Sequence, residues 1–229
     1  MSIPHPKHVI TRIRTVLPVL LLVAGILFAA GCQKPVRTIR KEADFDFNQG
    51  RYEKASGLYD QILQRQPGDW EAQYHYGVCM LNLGQVSRAR HALELALAAN
   101  PTDNQIAFAL AEVLFEEGDT KRLYQLLQSR GTDQRNVHAY LLLADYAIRL
   151  NDADSAMEAI NIAITYDQGA TTAPYIQAAR LAEHLADSEQ AIRRLRQAYA
   201  IDPDDEYVNE ALVEYGEIPG PTLGLPAGR

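Results

Sequence analysis

The stretch of sequence that decides the fold runs from Trp70 to Asp103 and reads WEAQYHYGVCMLNLGQVSRARHALELALAANPTD. Two small residues and a proline within it recur 34 residues earlier in the chain. The matching pairs are Gly84 and Gly50, Ala89 and Ala55, and Pro101 and Pro67. A period of this length is typical of helix pairs that stack side by side. The stretch therefore predicts one helix pair of a repeating array.

The pattern extends outward from this stretch over most of the chain. Apolar residues recur at spacings of three and four, which predicts two amphipathic helices, A and B, in each unit. In the second unit helix A should cover Trp70–Leu83 and helix B should cover Val86–Ala99. The predicted fold class is all-α. The array spans about residues 37–216. Its five units are predicted at 36–69, 70–103, 104–136, 137–171 and 172–205, and the capping helix at 206–216.

Three parts of the chain depart from the regular pattern. In the third unit Leu123 stands where a small residue is expected, and Gly131 is expected to interrupt helix B. In the fourth unit Asn151 replaces the turn glycine, since asparagine tolerates the left-handed backbone conformation. Residues 217–229 are rich in Pro and Gly. Because such a segment cannot bury a core, it is expected to form a flexible tail.

The second unit resembles the tetratricopeptide repeat (TPR). Tyr76 and Gly77 occupy the place of that family's Leu-Gly pair, Gly84 forms the turn, and Ala89 is the small residue that opens helix B. The resemblance implies a TPR α-solenoid, a right-handed superhelix of about five helix pairs with a C-terminal capping helix. The residues to which it assigns packing and turn roles are Gly50, Ala55, Pro67, Gly77, Gly84, Ala89, Pro101, Gly118, Ala144, Ala156, Ala179, Ala191 and Pro203.

In arrays of this family the A helices line a concave wall that binds a partner. The groove residues that the resemblance implies are Tyr74, His75, Val78, Asn82, Gln105, Phe108, Glu112, Phe115, Leu141, Asp145, Arg149, Ile176, Gln177 and Arg180. Aromatic and apolar residues alternating with charges suit an extended or helical peptide, because the anchors enter pockets and the charges set its orientation. A second interpretation is that Phe108, Leu141 and Ile176 simply pack between adjacent A helices.

The first 32 residues differ in kind from the repeats. Three basic residues precede the apolar run Val16–Ala30, which leads through Gly31 to Cys32. A membrane-spanning helix needs about 20 apolar residues, and the run is shorter and contains Pro18. A basic flank, a short apolar run and a small-residue exit are typical of a secretory signal, which is predicted over 1–31.

The end of this signal, LFAAGC, resembles the lipobox of bacterial lipoproteins, although Ala29 stands where leucine is usual. The resemblance implies lipidation of Cys32, with two acyl chains as a stable membrane anchor and a lipidated tether over 32–36. In such lipoproteins the residue after the cysteine is usually Asp where it signals retention in the inner membrane. Gln33 stands at this position instead, so the resemblance favours the periplasmic face of the outer membrane. The alternative is ordinary cleavage after Gly31, which would leave a free thiol.

The charge balance bears on the class of partner. The chain has 22 Lys and Arg against 29 Asp and Glu, a net charge of −7. Without residues 1–31 the counts are 19 and 29, so the net charge is −10. An acidic body argues against nucleic-acid binding, which needs a clustered basic surface. Lys34, Arg37, Arg40 and Lys41 form the exception, and this basic patch either touches anionic lipid head groups or is simply solvated.

Motifs that carry catalysis or cofactor binding were sought in the sequence. It contains no Gly-rich phosphate loop, HExxH, GxSxG or CxxC motif. His75, His91, His138 and His184 are spread over different units without the spacing of metal ligands. Cys79 lies in an apolar helical stretch and is expected to behave as a buried hydrophobe. The sequence therefore predicts a protein that is not an enzyme and that holds no metal or cofactor.

These observations together favour a non-enzymatic, membrane-anchored adaptor for a protein partner. Similar small TPR lipoproteins act as pilotins or accessory subunits of secretin pores in type IV and Tad-type pili, so assembly of a pilus or secretion secretin is the first expectation. Others belong to outer-membrane protein insertion machinery or recruit peptidoglycan hydrolases and proteases. A structural homodimer that pairs through the capping helix is a further alternative, and a hydrolase is the weakest.

Overall fold

The computed structural model describes residues 34–226 of the 229-residue chain. The predicted signal over 1–31, the lipidation site Cys32 and the sorting residue Gln33 lie outside the described residues. Within 34–226 the chain forms eleven α-helices. They are α1 (Val36–Asn48), α2 (Tyr52–Arg65), α3 (Trp70–Asn82), α4 (Val86–Ala99), α5 (Asn104–Glu116), α6 (Thr120–Gln134), α7 (Val137–Arg149), α8 (Ala153–Asp167), α9 (Ala173–His184), α10 (Ser188–Ile201) and α11 (Glu206–Glu214).

Each helix packs chiefly against its neighbours in sequence. The closest packing is within the pairs α1–α2, α3–α4, α7–α8 and α9–α10, and each B helix then packs against the A helix that follows it. The odd-numbered helices α1 to α9 are therefore the A helices, the even-numbered helices are the B helices, and α11 follows as the capping helix. None of the helices in 34–226 is long and apolar enough to cross a membrane.

The turn between the A and B helix of each unit uses one residue in the left-handed conformation. Gly50, Gly84 and Gly118 supply it in the first three units, with φ of 69°, 70° and 74°. Asn151 takes the same place in the fourth unit and Ala186 in the fifth, both with φ of 57°. The turn ends each A helix in the same way, because the next backbone N–H bonds to a carbonyl five residues back.

Aspartate and asparagine side chains fix most helix starts. Each accepts a hydrogen bond from a backbone N–H of the first turn, which would otherwise have no partner. The residues that do so are Asp69, Asp103, Asp119, Asn136, Asp152, Asp187 and Asp205. Asp205 belongs to the acidic run before the capping helix, and its other carboxylate oxygen accepts from the Thr172 hydroxyl at 2.9 Å. This run therefore caps a helix and ties it to the preceding unit.

Small residues lie at the contacts between paired helices. A Cβ on Gly77 would approach the Leu93 side chain to 2.7 Å, so glycine is required there for α3 to pack against α4. Ala55, Ala89, Ala144, Ala156, Ala179 and Ala191 are all buried. Gly118 lies at a turn, and Pro67, Pro101 and Pro203 are exposed between units. Buried apolar residues form two clusters, one within α1 to α3 and a larger one from Met80 to Leu223.

The third unit differs from its sequence-based expectation. Helix α6 runs without interruption through Gly131, and it ends only at Arg135, which has a φ of 48°. A Cβ on Gly131 would lie 2.4 Å from the Tyr140 ring, so the glycine leaves the space into which this side chain of α7 packs. Leu123 is completely buried. Gly131 is thus a packing residue rather than a helix breaker.

The described part of the predicted tail packs against the array. Residues 217–226 do not project from the array but lie along α10, where the Leu225 N–H donates to the Arg196 carbonyl at 3.0 Å. The Leu223 side chain is buried in the larger cluster. The physical reason is that two leucines and a glycine fit the end of the array, whereas composition alone indicates only that the segment cannot form its own core.

Candidate protein-binding surface

The residues predicted for the groove lie on the A helices α3, α5, α7 and α9, and their exposure varies. The half-buried members are Tyr74, His75, Val78, Phe108, Glu112, Phe115, Leu141, Asp145 and Ile176, and the exposed members are Asn82, Gln105, Arg149 and Arg180. Gln177 differs from the expectation, because its side chain is buried with 6% exposure and cannot contact a ligand directly. We call the other thirteen residues the A-helix surface.

The centre of this surface is a group of five side chains from α5 and α7, named here the Arg149 cluster. The Arg149 guanidinium lies 3.9 Å from the centroid of the Phe115 ring and 5.3 Å from that of Tyr146. The two rings are 5.1 Å apart. The Tyr146 hydroxyl donates to the Glu112 carboxylate at 2.5 Å, and the Asp145 carboxylate lies 3.9 Å from Arg149. The cluster joins two successive units through side chains.

The electrostatics of the Arg149 cluster favour a fixed arrangement. Burial is the main cause that raises the pKa of Tyr146, and the hydrogen bond to Glu112 raises it further, so the hydroxyl stays a donor at neutral pH. A guanidinium over an aromatic face is stabilised by about 0.5–1 kcal/mol at an exposed site. The cluster thus presents the exposed Arg149 cation over the half-buried Phe115 ring with carboxylates beside it, while Tyr146, which is 4% exposed, supports them from beneath. Such a combination suits a polypeptide, since it offers both an anchor and orienting charges.

Sequence reasoning missed Tyr146. The groove positions were predicted separately for each unit from the family pattern. Tyr146 belongs to the cluster through its contacts with Glu112 and Phe115 of the preceding unit, which that pattern does not consider. Tyr146 lies 34 residues after Glu112, and residues one period apart lie on adjacent A helices. This spacing could have indicated the contact from the sequence. Tyr146 is therefore the one member of the cluster that lies outside the predicted set.

A second pair of rings lies beside the cluster on the same two helices. Phe108 packs edge-on against the imidazole of His138, with the ring centroids 5.1 Å apart. Phe108 is half-buried against the core, while His138 is exposed. The sequence pattern identified His138 only as one of four histidines spread over different units. Phe108 thus packs between units and also contributes to the surface, so both interpretations given above apply to it.

The N-terminal end of the surface is built around His75. Its ring stacks on Tyr59 at 5.3 Å and contacts Phe47 at 4.8 Å and Tyr74 at 5.0 Å. Burial is the main cause that lowers the pKa of His75, against the opposing attraction of the Asp44 carboxylate. Its Nδ1 atom is buried and has no hydrogen-bond partner among residues 34–226. His75 therefore acts here as a neutral aromatic side chain.

The C-terminal end of the surface contacts the capping helix. The Arg180 guanidinium lies 5.4 Å from the centroid of the Tyr207 ring, and the Tyr215 hydroxyl lies 3.3 Å from the Glu183 carboxylate. Ile176 packs against the core, and Gln177 beside it has a buried Nε2 atom without a partner in the described part of the chain. Arg180 thus repeats, one unit later, the cation over an aromatic ring that Arg149 provides.

The described residues also show where potential metal ligands and the thiol of Cys79 lie. Within 34–226 no three His, Cys, Asp or Glu side chains lie close enough together to hold a metal ion. Cys79 is completely buried, and burial raises the pKa of its thiol to about 12, so it is not a reactive thiolate at neutral pH.

Clefts also open on the B-helix side, which sequence reasoning did not foresee. A cleft of about 800 Å³ lies between α6 and α8, one of about 640 Å³ between α2 and α4, and one of about 570 Å³ between α4 and α6. The last has a leucine floor, formed by Leu97, Leu110, Leu114 and Leu126, with Arg122 and Arg130 at its rim. None of the predicted groove residues lines these three clefts. The molecule therefore has two surfaces of different construction.

Family models match two overlapping parts of the chain. A model described as tetratricopeptide repeat matches residues 47–113. A model described as anaphase-promoting complex, cyclosome, subunit 3 matches residues 92–163. No curated protein matches the sequence.

Solved structures with similar folds cover most of the chain. A crystal structure of MamA protein has a TM-score of 0.59 at 17% identity and covers 81% of this chain and 98% of its own. MamA from Desulfovibrio magneticus RS-1 has a TM-score of 0.60 at 17% identity, covering 75% and 97%. A thermophilic TPR protein of Thermus thermophilus has a TM-score of 0.55 at 19% identity, covering 79% and 98%. The predicted all-α helical-repeat fold is confirmed.

Proposed function

We propose that this tetratricopeptide-repeat solenoid is a non-enzymatic scaffold that binds a protein partner along its A-helix surface. The observation that carries the proposal is the Arg149 cluster, in which the buried Tyr146 holds Phe115 and Arg149 of two successive units together at the surface. An aromatic and arginine pair at the centre of a surface is the composition typical of interaction hot spots.

The partner that fits this surface is an extended or helical peptide. The A helices α3 and α5 of two successive units carry the half-buried rings of Tyr74, Phe108 and Phe115. Arg149 and Arg180 offer cations to carboxylates of the peptide, while Glu112 and Asp145 offer anions to its basic residues. A peptide with spaced apolar anchors and charges of both signs would bind across several units at once.

The second part of the proposal concerns location. A secretory signal over 1–31, followed by lipidation of Cys32, would tether the array to a membrane through two acyl chains. Gln33 supports the periplasmic face of the outer membrane as that location. The support for this part is the N-terminal sequence alone. A short tether over 32–36 would hold the repeat array close to the membrane.

The third part concerns the process that the scaffold serves. An envelope-bound scaffold with one anchor and five repeat units resembles the accessory lipoproteins of pilus and secretin assembly. We therefore infer that the partner is a component of such an envelope complex. Machinery for outer-membrane protein insertion and peptidoglycan hydrolases or proteases are the alternative partners for the same surface.

A photo-crosslinking experiment tests the binding surface. A photoreactive amino acid is placed at Tyr74 or at Phe108 in the cell, and at His91 as the control, because His91 is exposed on the B-helix side. The two A-helix positions should yield the same envelope-protein adduct, and His91 should not. Arg149→Ala should lower the yield from Phe108 at least about tenfold, since loss of a hot-spot side chain costs about 2 kcal/mol or more.

Two results would contradict the proposal. One is an equal yield of the adduct from His91, which would move the partner to the B-helix side. The other is the absence of any envelope-protein adduct from both A-helix positions.

A further inference from the structure

The C-terminal segment occupies a defined site on the last B helix. We call residues 217–226 the tail and Arg196, Gln197 and Ala200 of α10 the tail seat. The Arg196 Nε donates to the Leu223 carbonyl at 2.8 Å, and the Leu225 N–H donates to the Arg196 carbonyl at 3.0 Å. The Gln197 Nε2 donates to the Pro226 carbonyl at 3.3 Å. The seat therefore binds the main chain of the tail at three points between Leu223 and Pro226.

Two side-chain requirements add selectivity to these main-chain bonds. The Leu223 side chain enters the larger apolar cluster and is only 8% exposed. A Cβ on Gly224 would lie 3.0 Å from the Ala200 Cβ and 3.2 Å from its Cα, so glycine is the residue that fits at this point. The seat thus selects a leucine followed directly by a glycine.

The position of the seat explains why it is available. Arg196 and Ala200 stand at the same places in the fifth unit as Glu94 and Ala98 in the second. Glu94 and Ala98 face α6, the next B helix, across a cleft. After α10 the described chain has the capping helix α11 in the place of an A helix, and no B helix follows it within 34–226. The tail covers the surface that a sixth B helix would face.

We propose that the tail seat is a peptide-binding site, with the chain's own tail as its resident ligand, and that it takes the same kind of segment from a second chain. The ligand from the second chain is the Leu-Gly-Leu-Pro segment, residues 223–226, in the tail of another copy. Within the tail, Pro219, Gly220 and Pro221 precede the bound residues 223–226, and Ile218 beside them is 86% exposed. Exchange of a terminal segment between identical chains is a low-cost route to association.

Effective concentration decides which ligand is bound. A short connection within the same chain holds the resident tail at an effective concentration on the order of millimolar, so the tail outcompetes a free peptide at micromolar concentration. A substitution that releases the resident tail should therefore expose the seat to the free peptide. This behaviour distinguishes a binding site from a tail that is merely part of the folded core.

Two glycine variants of the full-length chain provide the test. Gly224→Val places a side chain against Ala200 and should release the tail. Gly220→Val is the matched control, because a Cβ there meets nothing nearer than the Ile218 carbonyl at 3.9 Å. The probe is a fluorescein-labelled peptide of residues 217–229, followed by fluorescence anisotropy. Hydrogen exchange at the Leu225 amide, which the Arg196 carbonyl protects, reports release of the tail independently.

The expected result is fast exchange at Leu225 and peptide binding in the Gly224→Val protein. The wild-type and Gly220→Val proteins should keep the amide protected and bind the probe at least about tenfold more weakly. A probe that itself carries Gly224→Val should not bind. A protected amide in the Gly224→Val protein, or a released tail without binding of the wild-type probe, would overturn the proposal. Equal binding of both probes would overturn it as well.

Discussion

At the scale of single residues, His75 shows how an expected surface residue serves the interior. Its ring lies among Phe47, Tyr59 and Tyr74, and its Nδ1 atom has no partner within 34–226. The Tyr59 hydroxyl donates to Asp44 at 2.7 Å, so the nearest carboxylate already has another donor. Protonation of His75 would therefore place a charge among aromatic rings that are largely shielded from water.

This environment predicts a pH dependence of stability. Burial lowers the pKa of His75 in the folded protein, while Asp44 and Glu71 oppose the shift and Arg40 adds to it. The unfolded chain therefore binds this proton more readily, and the free energy of unfolding should decrease as the pH falls below the ordinary histidine value of about 6.5. Urea unfolding at several pH values between roughly 7.5 and 5 measures the decrease, because this range spans that pKa.

The control is His75→Gln, which removes the titrating group. Whatever its stability relative to the wild type at any one pH, its slope over this pH range should be flatter. Equal slopes for the two proteins would show that the acid sensitivity arises from other groups.

At the scale of secondary-structure elements, Gly131 lies at a packing contact between α6 and α7 that the sequence pattern did not predict. The Tyr140 ring of α7 fills the space that a Cβ on Gly131 would need, and the Tyr140 hydroxyl lies 2.8 Å from the Thr132 hydroxyl. The sequence pattern indicated a break because glycine lowers helix propensity by about 1 kcal/mol. The packing of α7 against α6 outweighs that local preference.

Substitution of this glycine should separate packing from propensity. Gly131→Ala should destabilise the protein by about 1–3 kcal/mol, because the Tyr140 ring would have to move in a packed contact. Gly57→Ala is the matched control, since Gly57 lies inside α2 with no atom within 4 Å of an added Cβ. The control should stabilise the protein by about 0.5–1 kcal/mol through helix propensity. Urea unfolding of both variants measures the two effects, and stabilisation by Gly131→Ala would refute the packing role.

The turns illustrate what local chemistry can predict about elements. Gly84 and Asn151 were expected to adopt the left-handed conformation, and both do so. Ala186 adopts it as well, although alanine has no local reason to favour it and the conformation costs about 1–2 kcal/mol. The packed helices on either side of this turn hold Ala186 in place, so its conformation follows from the array rather than from the residue.

At the scale of the whole molecule, the array separates two kinds of surface. The A-helix surface carries rings and charges that meet across units, as in the Arg149 cluster. The B-helix side carries open clefts between successive units, and at its end the tail seat. Because the two surfaces are built from different helices, a partner bound on the A helices and an exchange of the tail on α10 need not compete.

Anchoring is also a property of the whole molecule. Cys32→Ser should abolish acyl labelling and shift the protein from the membrane fraction to the soluble fraction, because the proposed anchor consists of the acyl chains on that thiol. Metabolic labelling with a fatty-acid analogue and fractionation measure the two effects.

Cys79→Ser is the matched control for the anchor, since Cys79 is buried within α3 and should not be acylated. This variant should keep both the label and the membrane association. Continued membrane fractionation of Cys32→Ser would mean that the apolar N-terminus itself remains attached.

The sequence by itself determined the repeating architecture. The 34-residue period of Gly84, Ala89 and Pro101 specifies where helices approach, turn and end, and each of these is a local requirement of backbone geometry. Helix α4 accordingly covers the predicted Val86–Ala99, and α3 ends one residue before the predicted Leu83. Such local requirements depend on residues within one unit and can be recognised without knowledge of the fold.

The tertiary structure alone decided which side chains meet between units. The contact of Phe115 with Tyr146 and Arg149, the need for Gly131 opposite Tyr140, and the position of the tail all join residues of different elements. These contacts depend on how the helices cross, which is set by the packing of many side chains at once. The position of Gln177 in the interior, rather than at the surface, has the same cause.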